Sequence, residues 1–155
     1  FLKSVLSNVT VIDKAARDSI LNFEKGIGDL AITYENEILV GQHAGAQYER
    51  VIPASTILIE NPIALVDANV DKHGTRAVAE AFMDFVYSEE AQAIYAAHGL
   101  RVVLPEVAAA HTETYPPIGD PFTVGYFGGW EKIMQDVFGE TGVYTEAILQ
   151  VHGGN

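Results

Sequence analysis

The chain has 155 residues, 48% of them hydrophobic and 19% charged, with a formal net charge of −12 and no cysteine. That composition describes a folded domain and excludes a disordered segment. It also excludes disulfides, thiolate metal sites and cysteine nucleophiles, and a charge so negative argues against nucleic acid as a partner. No apolar run approaches the length of a membrane span. Phe1 stands first, with no basic-then-apolar leader before it, which reads as a processed protein or a fragment.

In chain order, Leu2 to Leu6 reads as the end of a helix and Thr10-Val11-Ile12 as a β-branched strand. Asp13 fits a helix N-cap or the turn before one. Ala16, Ile20 and Phe23 recur at helical spacing. Gly26 and Gly28 bracket the next turn, Gly26 as a helix C′ residue. Leu30 to Tyr34 is continuous and mostly apolar, like a strand buried on both faces. Glu35 to Val40 returns to helix and Gly41 to Gln47 to a loop. Tyr48–Ile52 and Ser55–Ile59 read as extended, and Pro62–Val66 as another buried strand.

The middle is clearer. Thr75 caps a helix through Val86, with Val78, Ala81, Phe82 and Phe85 on one apolar face. Ser88 caps a second helix, which carries Glu89 and Glu90 in its first turn and closes at Gly99. Ala91, Ile94 and Ala97 are its core candidates. Arg101–Leu104 reads as a short strand ended by Pro105, 108–120 as a surface excursion, and Phe122–Tyr126 as extended. Trp130, Ile133, Met134, Val137 and Phe138 form a helical stripe, and Thr145 caps a last helix before a frayed tail from His152 to Asn155. Strands separated by helices imply an α/β fold with a mainly parallel sheet, in which ligands sit beyond the carboxyl ends of the strands.

The stretch from Asp13 to Glu37 carries the functional reading. A helix start offers unpaired N–H groups and a positive dipole end, both suited to an anion. Ala15, Ala16 and Arg17 form that start, and Tyr34 ends the strand beside it. At physiological salt the repulsion of an anion by the net charge is screened beyond roughly 8 Å, so local N–H dipoles can prevail. Arg17 is either a charge behind the site, holding Asp13 or the strand tip, or a solvated residue. Glu35 and Glu37, two residues apart, are the one hint of acid–base chemistry. As a glycosidase-like pair they would line one pocket at roughly 5–9.5 Å separation. The competing reading has them cap the next helix or pair with Lys or Arg. His43, His73, His98, His111 and His152 show no metal spacing. Gly26-x-Gly28 lacks a third glycine and is no dinucleotide fingerprint. No catalytic residue, metal or cofactor is expected.

From these residues the chain resembles the C-terminal half of the periplasmic sulfate/thiosulfate-binding proteins of ABC importers. The matching stretches are 13–17, Gly26-Ile27-Gly28-Asp29, Tyr34-Glu35-Asn36-Glu37, Val51-Ile52-Pro53, Ile57-Leu58-Ile59-Glu60 with Pro62, Val66-Asp67, Asp71 to Ala81, Tyr87 to Gln92 and Phe127-Gly128-Gly129-Trp130. Each is weak alone, but their order and spacing hold from Leu2 to about Gln150. The resemblance implies a partial type II periplasmic binding protein fold, with a mixed, mainly parallel sheet flanked by helices. It assigns 1–52 to part of lobe II, 53–120 to part of lobe I, and 121–155 to a C-terminal helical segment that returns to lobe II. It implies a sulfate-like oxyanion held by uncharged donors, an ABC permease as membrane partner, a periplasmic location, and a missing N-terminal half or second chain that completes the cleft. The family's backbone donor falls on Ala16, and its indole donor falls on Tyr34, where a phenol replaces Trp.

Overall fold

The computed structural model describes residues 1–153. Among them are nine α-helices: α1 Leu2–Leu6, α2 Ala16–Glu24, α3 Glu35–His43, α4 Asp67–His73, α5 Arg76–Val86, α6 Glu89–Ala97, α7 Pro105–Ala110, α8 Trp130–Asp136 and α9 Val143–His152. Two strands, β1 Ser55–Ile57 and β2 Asp120–Phe122, pair in parallel, with Ser55 opposite Asp120 and Ile57 opposite Phe122. This is the partial α/β architecture expected from the sequence.

The chain divides into two compact units. The first joins Phe1–Thr33, Ile52–Ile59 and the chain from Ile118 on. There α1 packs against α9, and α8 packs against the 3-10 turn Val124–Phe127. Leu6, Ile20, Ile133 and Ala147 are its buried apolar residues. Phe122, Tyr126 and Phe127 form an aromatic cluster beside β2, with ring centroids 5.2–5.7 Å apart. Such tilted and edge-on contacts suit the ring quadrupoles.

The second unit joins Tyr34–Val51 to Glu60–Pro117 and is entirely helical apart from its connections. Leu39 of α3, Ala96 of α6 and Tyr115 form its core, with Val102 packed beside them. Gln92 is buried but satisfied: its amide donates to Val86 O at 2.8 Å and accepts from Val103 N–H at 2.9 Å. Ser88 caps α6 by accepting from Ala91 N–H. Gly99 follows α6 at φ +93°, a left-handed conformation that favours glycine, and a Cβ there would sit in van der Waals contact with Asn36 O at 3.4 Å.

Several expectations change. Thr10–Ile12, Leu30–Tyr34, Pro62–Val66 and Arg101–Leu104 lie outside any strand. Leu30 and Ile32 are 76% and 79% exposed, not buried. An apolar run becomes a strand only where a ladder partner accepts its N–H and C=O groups, and among the described residues these runs have none in a sheet. Asp13 does not cap α2, whose N-cap is Ala15. Its carboxylate instead accepts from Ser19 Oγ at 3.1 Å and Asn22 Nδ2 at 2.7 Å. The third helix runs on through Gly41 to His43. Thr75 occupies the N-cap of α5 without a side-chain bond. Pro105, expected to end a strand, instead opens α7, which runs into the expected surface excursion at 108–120; its fixed φ and missing N–H suit a first helical turn. Thr145 lies inside α9, its hydroxyl donating to Phe138 O at 3.1 Å. Of the expected tail, His152 ends α9 with Nε2 3.3 Å from Leu6 O, while Gly154 and Asn155 lie outside the described residues. The predicted core faces are also open: Val78, Phe82, Phe85, Ile94, Trp130 and Met134 are exposed.

Candidate functional site

The first unit presents the start of α2. Ala15 is extended, at φ −140° and ψ 149°, and its carbonyl accepts from Asp18 N–H at 3.0 Å and Ser19 N–H at 3.3 Å. No side chain caps this end. Ala15 and Arg17 are exposed and Ala16 is half-buried. The carbonyl of Ala16 accepts from Thr33 Oγ1 at 3.0 Å, which ties Thr33 to the first turn of α2 within this unit. Ile20, on the apolar face, is buried and anchors the helix. The sequence thus sets a nine-residue helix that starts on Ala15 and Ala16, whose backbone N–H groups suit an anion, while the exposed Asp18 carboxylate in its first turn opposes one.

The second unit presents the start of α3. Tyr34 is its N-cap residue, extended at φ −80° and ψ 147°, and is 54% exposed. Ala15, Ala16 and Arg17 are therefore brought together on one helix start, and Tyr34 belongs to a different compact unit. Glu35 and Glu37 fall in the first turn of α3, as the competing reading of the pair has them. Glu35 is held by two arginines. Arg101 donates from Nε to Oε2 at 2.6 Å and from Nη2 to Oε1 at 3.2 Å. Arg50 donates from Nη1 to Oε1 at 3.1 Å, and its Nη2 donates to Thr114 O at 2.9 Å. The Arg101 guanidinium lies 5.6 Å from the centroid of the Tyr115 ring, a cation–π distance. Tyr115 in turn donates from its hydroxyl to Ala96 O at 2.7 Å. Burial pushes the Tyr115 hydroxyl above its usual pKa, and the Glu35 carboxylate adds to the rise.

This clasp was not foreseen residue by residue. Arg101 lies 66 positions from Glu35 and Arg50 lies 15, so no local pattern joins them. The sequence signal was coarser: a carboxylate with no catalytic neighbour pairs with Lys or Arg. A carboxylate bound in a bidentate fork and touched by a second guanidinium is committed to structure, and the hydrolase reading gains nothing from it. Among the described residues no group of three or more His, Asp or Glu is placed to hold a metal ion, and no helix is long and apolar enough to cross a membrane.

Residues 1–101 match the family of bacterial extracellular solute-binding proteins. The chain belongs to that family. Relatives of this solute-binding chain include the sulfate-binding protein of Synechococcus elongatus, 40% identical over 154 residues, which are 99% of this chain and 44% of that protein. The thiosulfate-binding protein of Escherichia coli is 35% identical, over 89% of this chain and 42% of its own length. The structure of the sulfate-binding protein SubI from Mycobacterium tuberculosis superposes with a TM-score of 0.69 at 35% identity, over 81% of this chain and 42% of that one. The resemblance read from the motifs therefore holds. This solute-binding chain spans less than half the length of the relatives it matches.

Proposed function

We propose that the chain is part of a solute-binding component of an ABC importer that captures sulfate, thiosulfate or a related oxyanion. The observation that carries this reading is the near-complete coverage of the chain by sulfate- and thiosulfate-binding relatives. The local chemistry supports it: α2 begins without a side-chain cap, and the carboxylate at the start of α3 is neutralised by two arginines. The backbone N–H groups of Ala16 and its neighbours Ala15 and Arg17 donate to the anion, and the Tyr34 hydroxyl is a further donor. Such a site needs no net positive charge, in keeping with a total of −12. The chain is a binding module and not an enzyme, it works in the periplasm, and it delivers its anion to a membrane permease.

In this reading 1–52 and 121–155 contribute to one lobe of the whole protein and 53–120 to the other. The compact units draw their border differently, placing Tyr34–Val51 with Glu60–Pro117. The remaining length, present in the relatives, covers the exposed apolar faces such as Val78, Phe82 and Phe85. Calorimetric titration of the full-length parent with sulfate and thiosulfate tests the proposal. Saturable heat at micromolar ligand is the expected result, and no heat with either anion overturns it. The 155-residue chain alone is expected to bind more weakly than the parent; equal affinity would show that the chain holds the whole site.

A further inference from the structure

We propose that Glu35, held by Arg50 and Arg101, is a positioning residue that fixes Tyr34 for oxyanion binding; this rests on the oxyanion reading above. Glu35 is the first residue of α3 and Tyr34 is its N-cap. Their Cα atoms are one peptide apart, about 3.8 Å, so whatever fixes Glu35 fixes the base of the Tyr34 side chain. The fixing is thorough. Three hydrogen bonds from two guanidiniums converge on one carboxylate, whose side chain is only 22% exposed. Arg50 carries the tie on to Thr114 O, and Tyr115 carries it from Arg101 to Ala96 O. The start of α3 is thereby joined to residues 50, 101, 114 and 115, all within one compact unit.

The arrangement has a second consequence. An uncompensated carboxylate one residue from an anion donor would repel a dianion. Here Arg50 and Arg101 outweigh Glu35, and with Glu37 of the same turn the four side chains sum to zero. Two of the chain's nine cations are thus placed on one acid in a protein of charge −12. Stability alone gives little reason for this, because partly buried ion pairs contribute little net free energy.

Positioning and charge predict opposite signs for one substitution. Glu35→Gln removes a negative charge, so electrostatics alone would tighten sulfate binding. Loss of positioning weakens it. The test is a double-mutant cycle in the full-length parent, read as sulfate Kd at fixed ionic strength, with thermal melts to follow folding. Glu35→Gln is expected to weaken binding about tenfold, within the usual range for coupled neighbours. Tyr34→Phe also weakens it. The double variant then binds within about twofold of Tyr34→Phe alone, because Glu35 acts through Tyr34. Arg101→Lys keeps the charge and loses the bidentate fork, so it is expected to reproduce the Glu35→Gln result. It takes the place of Glu35→Gln in the cycle if that variant unfolds. Tighter binding by Glu35→Gln, unchanged affinity in Tyr34→Phe, or losses that multiply in the double variant would each overturn positioning and leave the oxyanion reading intact. A parent that binds no sulfate or thiosulfate overturns both.

Discussion

The starts of α2 and α3 solve one problem in two ways. Each helix lacks a side-chain cap, and each has a carboxylate near its first turn. At α2 one carboxylate, Asp13, lies outside the helix and bonds to the neutral donors Ser19 and Asn22 along its flank, while a second, Asp18, stands exposed in the first turn. At α3 the carboxylate, Glu35, lies inside the helix and bonds to two cations. The first device keeps the Asp13 oxygens occupied without adding positive charge, and leaves the N–H groups at the helix end without a side-chain cap. The second cancels charge and adds rigidity, and leaves the adjacent tyrosine exposed. Small neutral residues suit the first, where backbone must be approached closely; a long side chain suits the second.

The largest effects should come from the residues that anchor the two helices. Leu39 packs against Ala96, Tyr115 and Val102, and Ile20 is 2% exposed. Leu39→Ala and Ile20→Ala should each cost about 3 kcal/mol of unfolding free energy, the usual result of a core cavity. Urea titration followed by circular dichroism measures it. A loss below about 1 kcal/mol for Ile20→Ala would mean that α2 is not anchored by its apolar face. Next comes Asp13→Ala, which removes the acceptor of two part-buried hydrogen bonds and should cost about 1–2 kcal/mol. If Ser19→Ala costs as much as Asp13→Ala, the bond to Asn22 contributes nothing and the α2 device reduces to a single contact.

Helices were legible where the signal was local. The Ser88 cap, the Gly99 stop and the apolar periods of α5 and α6 all lie within a few residues of what they control, and each element formed where expected. Strands were less legible because a strand is a relation between distant segments. Leu30–Tyr34 has the composition of a buried strand, yet Leu30, Ile32 and Tyr34 are solvent-exposed, since no neighbouring ladder meets it among the described residues. The same reason explains the exposed stripe of α5: periodicity shows which face is apolar, not whether anything covers it. At the candidate site, Ala15–Arg17 was legible as a helix start from spacing alone. The Arg50 and Arg101 partners of Glu35 were not, because tertiary packing brings them there.

A smaller effect sits at Tyr115. Tyr115→Phe removes the bond to Ala96 O and should cost about 1 kcal/mol. Its pH dependence tests the clasp more sharply. The hydroxyl pKa is raised by burial first and by the Glu35 carboxylate second, while Arg101 and Arg50 oppose the rise. Unfolded tyrosine ionises near pH 10, by general peptide values. Above that pH the unfolded chain sheds a proton that the folded chain retains, so stability is complete below pH 10 and falls as pH rises through the folded pKa. Tyr115→Phe should lack that part of the alkaline decline. Identical alkaline limbs in the two proteins would mean that Tyr115 is not held neutral by its surroundings.

The smallest effect belongs to the inverse of the Glu35 clasp. At the junction of α4 and α5, one cation, Arg76, serves Asp67, Asp71 and Glu80. The bond from Arg76 holds the Asp71 carboxyl below its ordinary pKa. The sign is therefore opposite to that of Tyr115: stability is present above the ordinary carboxylate range and is lost as pH falls through the folded pKa. These side chains are well exposed, so their attraction is screened by salt. Carboxyl NMR titration should find Asp71 below the ordinary range at low ionic strength, and nearer to it in 1 M NaCl or in Arg76→Ala. The half-buried Glu35 clasp should keep its geometry in the same salt, because its partners are shielded from solvent ions. If salt loosens both equally, burial is not what separates a structural ion pair from a surface one here, and rigidity at the start of α3 must come from the Leu39 core alone.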